Sequence, residues 1–304
     1  MRVLIIGFGS IGQRHYRILR NLVDKKNITV ISKQNLPNTD VYKTLDSVPS
    51  LSTYNYFIIA SETHLHYAQL KYLCQHLDNK VILVEKPLFA VAHPKLACSN
   101  TILTAYNMRF HPVIQKLQSL MQNKPVYAAH IYCGSYLPRW RPNQDYTKGY
   151  SADKKRGGGV LRDLSHELDY IKHLFGEIST FEAINSKISD LDITSNDFFT
   201  MIAVTKQKTV INLSLDYISK LHRRKILIHT QNESIEADLI NNTIEVQNKD
   251  GKSEQFTFEE ADRDYTYIKM HEAIVANNFT HFCTYDEGLE TTNLIDAVSF
   301  KKEF

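Results

Sequence analysis

Apolar and polar residues alternate in blocks along the first hundred residues, and the blocks predict strands separated by helices. The apolar runs are RVLIIG (2–7), ITVIS (28–32), YFIIAS (56–61) and KVILV (80–84). Helical spacing follows the first run through residues 14–22 and the third run at about residues 64–76. Strands that are apolar on both faces are typical of a parallel sheet covered by helices on each side. The pattern predicts an α/β, doubly wound sheet.

The second half of the chain has a different pattern of apolar and polar residues. Helical spacing is found at residues 111–122 and 159–175, and from about Phe181 apolar runs succeed one another with only polar turns between them. Strands without intervening helices predict a mostly antiparallel sheet. Two short helical patterns, at about 265–277 and 286–297, follow. We therefore predict a Rossmann domain over residues 1–110 and an α+β domain with an open sheet over residues 111–304.

Composition narrows the class of protein. The 304 residues are 43% hydrophobic and 23% charged, and the formal net charge of +3 is small. No basic run is longer than the three residues Lys154–Arg156, which argues against a nucleic-acid partner. No apolar run approaches the roughly 20 residues of a membrane helix, and the chain opens directly on a strand, so we expect a cytoplasmic protein without a membrane partner.

The cysteine and histidine spacings match no metal site. Cys74, Cys98, Cys133 and Cys283 are far apart in the sequence. Such spacing is predicted to give reduced, mostly buried thiols rather than metal ligands. We predict no metal.

A glycine-rich turn follows the first apolar run. Gly7, Gly9 and Gly12 have G-x-G-x-x-G spacing between a predicted strand and a predicted helix. That context is typical of a dinucleotide site, in which the pyrophosphate lies at the helix start. A purely structural turn is the alternative. The predicted cofactor contacts of this turn are Gly7, Phe8, Gly9, Ser10, Ile11 and Gly12.

The end of the second strand bears on the choice of cofactor. NAD enzymes commonly have Asp or Glu about 20 residues beyond the turn, where it binds the ribose 2′-hydroxyl. This chain has Ser32 and Lys33 there. A cation without a neighbouring carboxylate favours NADP slightly over NAD. In the alternative interpretation Lys33 is a solvated loop residue and both cofactors bind.

Five fragments in sequence order resemble one family. They are GFGSIGQRH (7–15), ASETHLH (60–66), VEKP (84–87), AYNMRFHPVIQKL (105–117) and GGGVLRDLSHELDY (157–170). Together they look like the Gfo/Idh/MocA family of NAD(P)-dependent oxidoreductases. The resemblance rests on motifs over the first 175 residues, and beyond them only on the pattern of apolar and polar runs. The resemblance implies hydride transfer at a carbinol carbon of a sugar, cyclitol or nucleotide sugar, in a site between two domains. It also implies dimers or tetramers formed through the C-terminal sheet.

The resemblance implies roles for individual residues. Lys86 matches the lysine beside nicotinamide and substrate hydroxyl, and Glu85 flanks it among the cofactor contacts. His166 matches the histidine proposed as acid–base. Asp163 matches the aspartate before it, but the spacing is three residues here rather than four, which leaves the role of Asp163 open. The loop beneath the cofactor is matched by Ser61, Thr63 and His66.

Some of these roles also follow from the residues themselves. Lys86 ends a buried strand, where ligands of parallel sheets bind, and its charge could stabilise a developing alkoxide. On a continuous helix over 159–175, Asp163, His166 and Tyr170 fall roughly opposite the apolar stripe. Histidine titrates near neutral pH and suits proton transfer. The alternatives are a surface lysine paired with Glu85 and a solvated helix face.

Substrate contacts are predicted from an aromatic residue flanked by cations. Trp140, the only tryptophan, lies between Arg139 and Arg141 and could bind a sugar face and an acidic group. A loop-anchoring role for Trp140 is equally consistent with the sequence. Arg109 is a further candidate, with packing as its alternative. The predicted substrate contacts are Arg109, Trp140, Arg141 and Tyr170.

These observations predict an NAD(P)-dependent dehydrogenase or reductase acting on a secondary alcohol or ketone of a sugar. The stretch from Trp140 to Tyr170 most resembles relatives from bacterial surface-polysaccharide pathways, so a nucleotide sugar or an acidic sugar is the expected substrate. The alternative is a non-catalytic, cofactor-sensing regulator or binding protein on the same fold. Such a protein could dispense with Lys86 and His166, and this chain has both.

Overall fold

The computed structural model of the chain describes residues 1–34, 36–37, 39–259 and 261–299. These residues form two compact units. The first unit contains Met1–Phe110 and Arg263–Asn293, and the second contains His111–Asp262 and, of the described residues, also 294–299. The boundary after residue 110 coincides with the predicted one. Residues 263–293 differ from the prediction, because they belong to the first unit.

The strands and helices are numbered in chain order. The strands are β1 (Val3–Ile6), β2 (Ile28–Ile31), β3 (Asp40–Tyr42), β4 (Tyr56–Ile59), β5 (Val81–Val84), β6 (Thr101–Thr104), β7 (Val126–Gly134), β8 (Ile178–Ser186), β9 (Phe198–Thr205), β10 (Val210–Asp216), β11 (Arg223–Thr230), β12 (Glu233–Asp238), β13 (Thr243–Asn248), β14 (Ser253–Thr257) and β15 (Cys283–Thr284). The helices are α1 (Ser10–Leu19), α2 (His66–His76), α3 (Pro112–Leu120), α4 (Val160–Asp163), α5 (His166–Phe175), α6 (Tyr265–Val275) and α7 (Tyr285–Ser299). None of these described helices is long and apolar enough to cross a bilayer.

The first unit is built on a seven-stranded sheet in the order β15-β6-β5-β4-β1-β2-β3. All neighbouring strands are parallel except β15, which runs antiparallel to β6. Every residue of β1, β2 and β4 is buried, as continuous apolar runs covered on both faces require. The predicted Rossmann arrangement is confirmed.

Residues 263–293 join the first unit because their apolar side chains complete its core. Tyr267, Met270 and Ile274 of α6 are buried in the same cluster as Val3 and Ile5 of β1. Strand β15 then adds to the edge of the sheet beside β6. The sequence does not show which sheet a short amphipathic helix covers, so the assignment of this segment to the second domain was wrong.

The second unit contains an eight-stranded sheet in the order β14-β13-β12-β11-β7-β10-β9-β8. Its neighbouring strands are antiparallel except β7 and β10, which are parallel. The predicted open, mostly antiparallel sheet is therefore confirmed. The central strand β7 was not predicted, since VYAAHIYCG mixes small, polar and aromatic residues and lacks a continuous apolar run.

The predicted helix over residues 159–175 is two helices. Helix α4 ends at Asp163, and α5 begins at His166 after a break at Leu164, whose φ of −99° and ψ of +29° are not helical. The apolar spacing persists across the break, which is why the sequence pattern indicated one continuous helix. An angular count from Asp163 to Tyr170 therefore does not hold.

The cysteines also differ from the prediction in part. Cys74 of α2 and Cys98 form a disulfide, with their Cα atoms 5.0 Å apart. Separation in the sequence did not prevent this pairing, because α2 and the segment leading into β6 are neighbours in the fold. Cys133 and Cys283 take no part in the disulfide and are buried, as predicted.

Candidate active site

Four predicted cofactor segments lie at one edge of the first sheet. Gly7 follows β1, Ser32 follows β2, Ser61 comes two residues after β4, and Glu85 follows β5 directly, with Lys86 next to it. These strands are parallel and adjacent, so their carboxyl ends share an edge. Ligands of open α/β sheets bind outside the carboxyl ends of the strands.

The glycine turn has the space that a dinucleotide needs. Gly7 has a φ of +101°, and a Cβ there would lie 2.7 Å from the Ala60 carbonyl oxygen. A Cβ on Gly12 would lie 2.2 Å from the Gly7 carbonyl oxygen, so α1 packs closely on the turn. By contrast, a Cβ on Gly9 would meet no atom within 4 Å. The turn is closed on its inner side and open at Gly9, at the start of α1, as a bound pyrophosphate requires.

The side chains of this turn divide into two groups. Phe8 and Ile11 are partly buried against the core, and Phe8 makes an edge contact with Tyr16 at 5.6 Å between ring centroids. Ser10 is exposed at the first position of α1. Backbone atoms around Gly9, together with Ser10, are therefore the groups that could hold a phosphate, while Phe8 and Ile11 fix the turn from within.

The end of β2 has a basic character. Ser32 Oγ accepts a hydrogen bond from the Gln34 N–H at 3.0 Å, which shapes the turn. Lys33 is exposed, and Lys43 Nζ donates to the Lys33 carbonyl oxygen at 3.1 Å. Two ammonium-bearing residues thus meet where a 2′-hydroxyl-binding carboxylate would otherwise be found. Lys43 was not identified from the sequence, since it lies on the far side of β3.

His66 supports the loop after β4 from inside. Its side chain is fully buried, with Nδ1 3.1 Å from the Leu88 carbonyl oxygen and Nε2 3.2 Å from the Ser61 carbonyl oxygen. Burial lowers the pKa of His66, although both carbonyls oppose this effect. Both ring nitrogens face backbone, so His66 positions the Ser61 and Leu88 segments rather than contacting a cofactor directly. Thr63 begins the short 3₁₀ turn that leads from the loop after β4 into α2, and it is half-buried.

Glu85, beside Lys86, is held by a chain of buried hydrogen bonds. Glu85 Oε2 accepts the Lys86 N–H at 3.1 Å, and Oε1 lies 2.9 Å from His15 Nε2. His15 Nδ1 is 2.8 Å from His271 Nε2, whose ring continues to the Tyr56 hydroxyl, 3.0 Å from Nδ1. His15, His271 and Tyr56 are completely buried, and Lys86 itself is half-buried.

The proton positions along this chain follow from burial. Burial, with the Glu85 charge adding to it, raises the pKa of Tyr56, which remains a donor. Burial, followed by the influence of His15, lowers the pKa of His271 well below its usual value, so this ring is neutral. A neutral ring has one N–H, so His271 donates from one ring nitrogen and accepts at the other. The Glu85 carboxylate accepts from His15 Nε2 at the end of the chain.

In the second unit, Asp163 and Trp140 are brought together by Tyr217. The Tyr217 hydroxyl donates to Asp163 Oδ2 at 2.6 Å, and burial, then the Asp163 charge, raises the pKa of Tyr217 well above its usual value. The Trp140 ring contacts Tyr217 edge-on at 5.1 Å, and its indole N–H donates to Ser135 Oγ at 2.7 Å. The Trp140 side chain is anchored, yet 37% of the residue is exposed.

His166 and its neighbours occupy the first turn of α5. His166 is half-buried, while Glu167 is completely buried and accepts from Arg224 Nε at 2.7 Å. Burial works against the charge of Arg224, but the Glu167 carboxylate outweighs it and raises the pKa of the guanidinium. Tyr170 is also fully buried, with its hydroxyl 3.5 Å from Glu167 Oε1. The predicted exposure of Tyr170 to a substrate was wrong, because the five successive residues from Glu167 to Ile171 are all buried and α5 is therefore covered on every side at this level.

The two predicted substrate arginines have different surroundings. Arg109 is 2% exposed, and its NH1 donates to the Phe282 carbonyl oxygen at 3.1 Å and to Glu287 at 3.0 Å. This guanidinium links segments within the first unit. The alternative interpretation, a packing role for Arg109, therefore replaces the predicted substrate contact. Arg141 is exposed, and its nearest side-chain partner given by the structure is Gln144 Oε1, at 3.5 Å.

The residues that sequence reasoning missed are mostly partners of those that it found. His15 lies three residues after Gly12, and its short distance from the turn was the only available signal. His271 and Tyr217 are 256 and 54 residues away from the residues they contact, and nothing in their own neighbourhoods marks them. Lys86 belongs to the first unit and His166 to the second.

The parallel sheet, its glycine turn and the lysine at its carboxyl edge define a Rossmann-type dehydrogenase. Residues 1–105 match the oxidoreductase family model GFO_IDH_MocA, described as an NAD-binding Rossmann fold, and residues 125–236 match the C-terminal domain of the same family. Together these matches cover more than half of the chain. The chain belongs to the Gfo/Idh/MocA family and is an NAD-dependent oxidoreductase that acts on CH–OH groups.

Comparison with individual proteins agrees with this assignment. The chain is 22% identical to the uncharacterized oxidoreductase YrbE of Bacillus subtilis (strain 168), over 96% of this chain and 92% of that protein. It is similar in fold to UDP-N-acetylglucosamine 3-dehydrogenase GnnA from Acidithiobacillus ferrooxidans, at 19% identity and a TM-score of 0.74, covering 98% and 96% of the two chains. It is also similar to levoglucosan dehydrogenase in complex with NADH and levoglucosan, at 14% identity and a TM-score of 0.80, with the same coverage. At these identities the structures demonstrate a shared fold.

Proposed function

We propose that this protein transfers hydride between NAD(P) and a secondary alcohol or ketone of a sugar, with Lys86 and His166 acting on the substrate oxygen. The observation that carries the proposal is the position of Lys86. It lies directly after Glu85 at the carboxyl end of β5, on the same sheet edge as the glycine turn that follows β1. A half-buried cation there is suited to both cofactor and substrate.

Lys86 and His166 have different roles in the proposed reaction. NAD(P), when bound, supplies the hydride chemistry. Lys86 Nζ donates a hydrogen bond to the substrate oxygen and stabilises the negative charge that develops on it. The His166 imidazole takes the proton from the hydroxyl during oxidation and returns it during reduction. Asp163, held by Tyr217, contributes a fixed carboxylate near the start of α5.

We propose NADP as the preferred cofactor. The support is the basic corner after β2, where Lys43 contacts the backbone of Lys33 and residues 32–34 include no carboxylate. A 2′-phosphate would gain a charge-assisted hydrogen bond from either lysine, whereas the 2′-hydroxyl of NAD would find no carboxylate acceptor there.

For the substrate we propose a nucleotide sugar or an acidic sugar of bacterial surface-polysaccharide biosynthesis, used in the cytoplasm. GnnA, which shares the fold, is a UDP-N-acetylglucosamine 3-dehydrogenase, and levoglucosan dehydrogenase binds NADH and levoglucosan. Trp140, with its ring partly exposed in the same unit as His166, supports sugar binding. The second candidate is the cofactor-sensing regulator, which would bind the cofactor and leave every sugar unchanged.

The test is a turnover assay with the purified full-length protein, a panel of nucleotide sugars and sugar acids, and both cofactors. Oxidation or reduction of at least one sugar is expected, with NADPH binding more tightly than NADH. Lys86→Ala should lower kcat by about 10³-fold, because charge stabilisation at the oxygen is lost, with NADPH affinity changed only a few-fold.

Lys80→Ala is the matched control. Lys80 precedes the opposite end of β5, where its Nζ donates to the Ser52 carbonyl oxygen at 2.7 Å. Its removal should leave turnover unchanged. NADPH binding without turnover of any sugar would support the regulator instead, and wild-type turnover by Lys86→Ala would exclude the proposed role of Lys86.

We also propose that the protein forms a homodimer or homotetramer through the open face of the second sheet. Ile202, Asn212 and His130 lie side by side across β9, β10 and β7, and Ile202 is 61% exposed. Val210, on the same sheet, is 39% exposed. Large apolar side chains on central strands favour burial against a second copy. Sedimentation of the full-length protein as a monomer at micromolar concentration would contradict this proposal.

A further inference from the structure

The second unit contains a cavity to which the proposed function has so far assigned no role. Its volume is about 240 Å³, and the wall combines the three-glycine loop before α4 with polar side chains. The lining residues are Lys154, Gly157, Gly158, Gly159, Leu161, Arg162, Asn185 and Asn196. Pockets for drug-sized ligands are generally larger than about 300 Å³, so this cavity is suited to a smaller molecule, such as one sugar ring.

The shape of the cavity depends on the glycines. Gly157 has a φ of +85° and Gly159 a φ of +131°, so side chains there would be strained. The Gly157 carbonyl oxygen accepts a hydrogen bond from the Tyr150 hydroxyl at 2.8 Å, and the Val160 N–H donates to the Asn196 carbonyl oxygen at 2.9 Å. These bonds fix the loop at both ends. The cavity is therefore a built feature of the fold rather than a gap in a mobile loop.

One wall of the cavity carries a buried polar atom that lacks a partner. Asn185, near the end of β8, is 7% exposed, and its Oδ1 has no hydrogen-bond partner among the described residues. The Asn196 side-chain amide donates to the Asn185 backbone oxygen at 3.1 Å and makes no hydrogen bond to Asn185 Oδ1. A buried amide oxygen without a donor costs free energy of about 1–3 kcal/mol. A ligand hydroxyl in the cavity would supply that donor.

The charged residues of the lining favour an anion. Lys154 and Arg162 contribute two cations, and the lining includes no carboxylate. Arg162 also lies 3.5 Å from Asp296, which neutralises part of its charge, but a guanidinium has five N–H donors and can serve two partners. A ligand with a carboxylate and at least one hydroxyl would match the cations and the Asn185 oxygen together.

We propose that this cavity binds the carboxylated ring of a sugar acid and makes that class the substrate of the protein. The cavity wall continues directly into α4, which ends at Asp163, three residues before His166. The choice of a sugar rests on the function proposed above. The carboxylate would face Lys154 and Arg162, and a ring hydroxyl would donate to Asn185 Oδ1.

The test is calorimetric titration of D-glucuronate, D-glucose and inorganic phosphate into the full-length protein, with and without NADPH. Glucuronate should bind at least about tenfold more tightly than glucose, because only glucuronate can pair with the cations. Asn185→Leu, which is similar in size but cannot accept a hydrogen bond, should weaken glucuronate binding about tenfold. Thermal unfolding and NADPH binding by this variant show whether the fold is intact.

Two adjacent lysines provide a matched control. Lys154→Gln should weaken glucuronate binding several-fold, and Lys155→Gln should not, since both lysines are exposed but only Lys154 lines the cavity. Equal binding of glucuronate by wild type and Asn185→Leu would overturn the proposal. Phosphate binding as tight as glucuronate binding would also overturn it, because the cavity would then select a simple anion.

The binding experiment and the turnover assay can fail independently of each other. If no sugar is converted but glucuronate binding follows the expected order of variants, the site stands and the enzymatic proposal fails. If sugars are converted while Asn185→Leu changes neither KM nor glucuronate affinity, the cavity proposal fails and the enzymatic one stands.

Discussion

Glu85 and Glu167 are two buried carboxylates, each next to a residue assigned to catalysis, and they are accommodated in opposite ways. Glu85 precedes Lys86 and receives hydrogen bonds from the His15 ring and a backbone N–H. Glu167 follows His166 and is paired with the Arg224 guanidinium at 2.7 Å, while its Oε2 has no hydrogen-bond partner among the described residues. Both residues are at most 5% exposed.

The two carboxylates differ in whether a cation compensates their charge and in whether all their oxygens accept hydrogen bonds. Around Glu85, both carboxylate oxygens accept hydrogen bonds, Oε1 from the His15 ring and Oε2 from the Lys86 N–H. Around Glu167, a cation cancels the charge, but hydrogen-bonding capacity is left over on Glu167 Oε2 and Arg224 NH2. A buried polar network makes its surroundings rigid when every member is satisfied, whereas a buried ion pair with unused donors and acceptors offsets less of its desolvation cost. The first arrangement is expected to fix its segment more strictly.

The largest expected effect is the removal of Arg224. Arg224→Met leaves Glu167 buried without a counter-charge, so the free energy of unfolding should fall by about 3–5 kcal/mol. Denaturant unfolding measures this change. Arg223→Met is the matched control, because Arg223 is exposed on the same strand and its loss should change stability by less than about 0.5 kcal/mol. Equal effects of the two variants would show that the Glu167–Arg224 pair does not carry the buried charge.

The hydrogen-bond chain behind Lys86 is broken by His15→Leu. Leucine leaves Glu85 Oε1 and His271 Nε2 each without its present hydrogen-bond partner, and a loss of about 2–4 kcal/mol in unfolding free energy is expected. His15→Gln retains an N–H donor and should recover part of this loss together with part of kcat. His76→Leu, on the exposed face of α2, serves as the control. If Leu and Gln at position 15 behaved alike, the donor role of His15 would be ruled out.

The smallest effect at neutral pH, but a measurable one in acid, concerns His111. Burial, then the charge of Arg224, lowers the pKa of His111 to about 4, and its Nδ1 accepts the Val113 N–H at the start of α3. Because the unfolded state binds the proton at about pH 6.5 and the folded state does not, this stabilisation is complete above pH 6.5. It is lost as the pH falls to about 4, and amounts to about 3 kcal/mol.

His111→Asn tests this pH dependence. Asparagine retains the helix cap and cannot titrate, so the unfolding free energy of the variant should decline less steeply between pH 6.5 and pH 4 than that of the wild type. Other histidines contribute equally to both proteins and cancel in the difference. Parallel pH profiles for the two proteins would mean that His111 is protonated in the folded state.

Much of the first unit could be predicted from the sequence. The apolar runs of β1, β2, β4 and β5 and the three glycines specify local structure directly, because a fully buried strand and a tight turn each demand particular residue types. The position of Lys86 followed, since it depends only on the end of β5. The break between α4 and α5 could not be predicted, because the apolar spacing continues through it.

Partnerships over long distances in the chain were also beyond prediction. Residues 263–293 return to the first unit, and His271 meets His15 only because α6 packs on α1. Arg109 shows the converse: its charge suggested a ligand, but the fold placed Glu287 within 3.0 Å. The same residue type serves a substrate or a core depending on which partner the fold brings to it.

By itself, the sequence determined the elements whose causes are local: the apolar strands, the glycine turn and the lysine at a strand end. The tertiary structure alone decided which polar groups are satisfied and which remain open, including the chain behind Glu85 and the unpartnered Asn185 oxygen. The physical reason is range, since backbone preferences act over a few residues, whereas hydrogen-bond partners are chosen by packing among segments far apart in the chain.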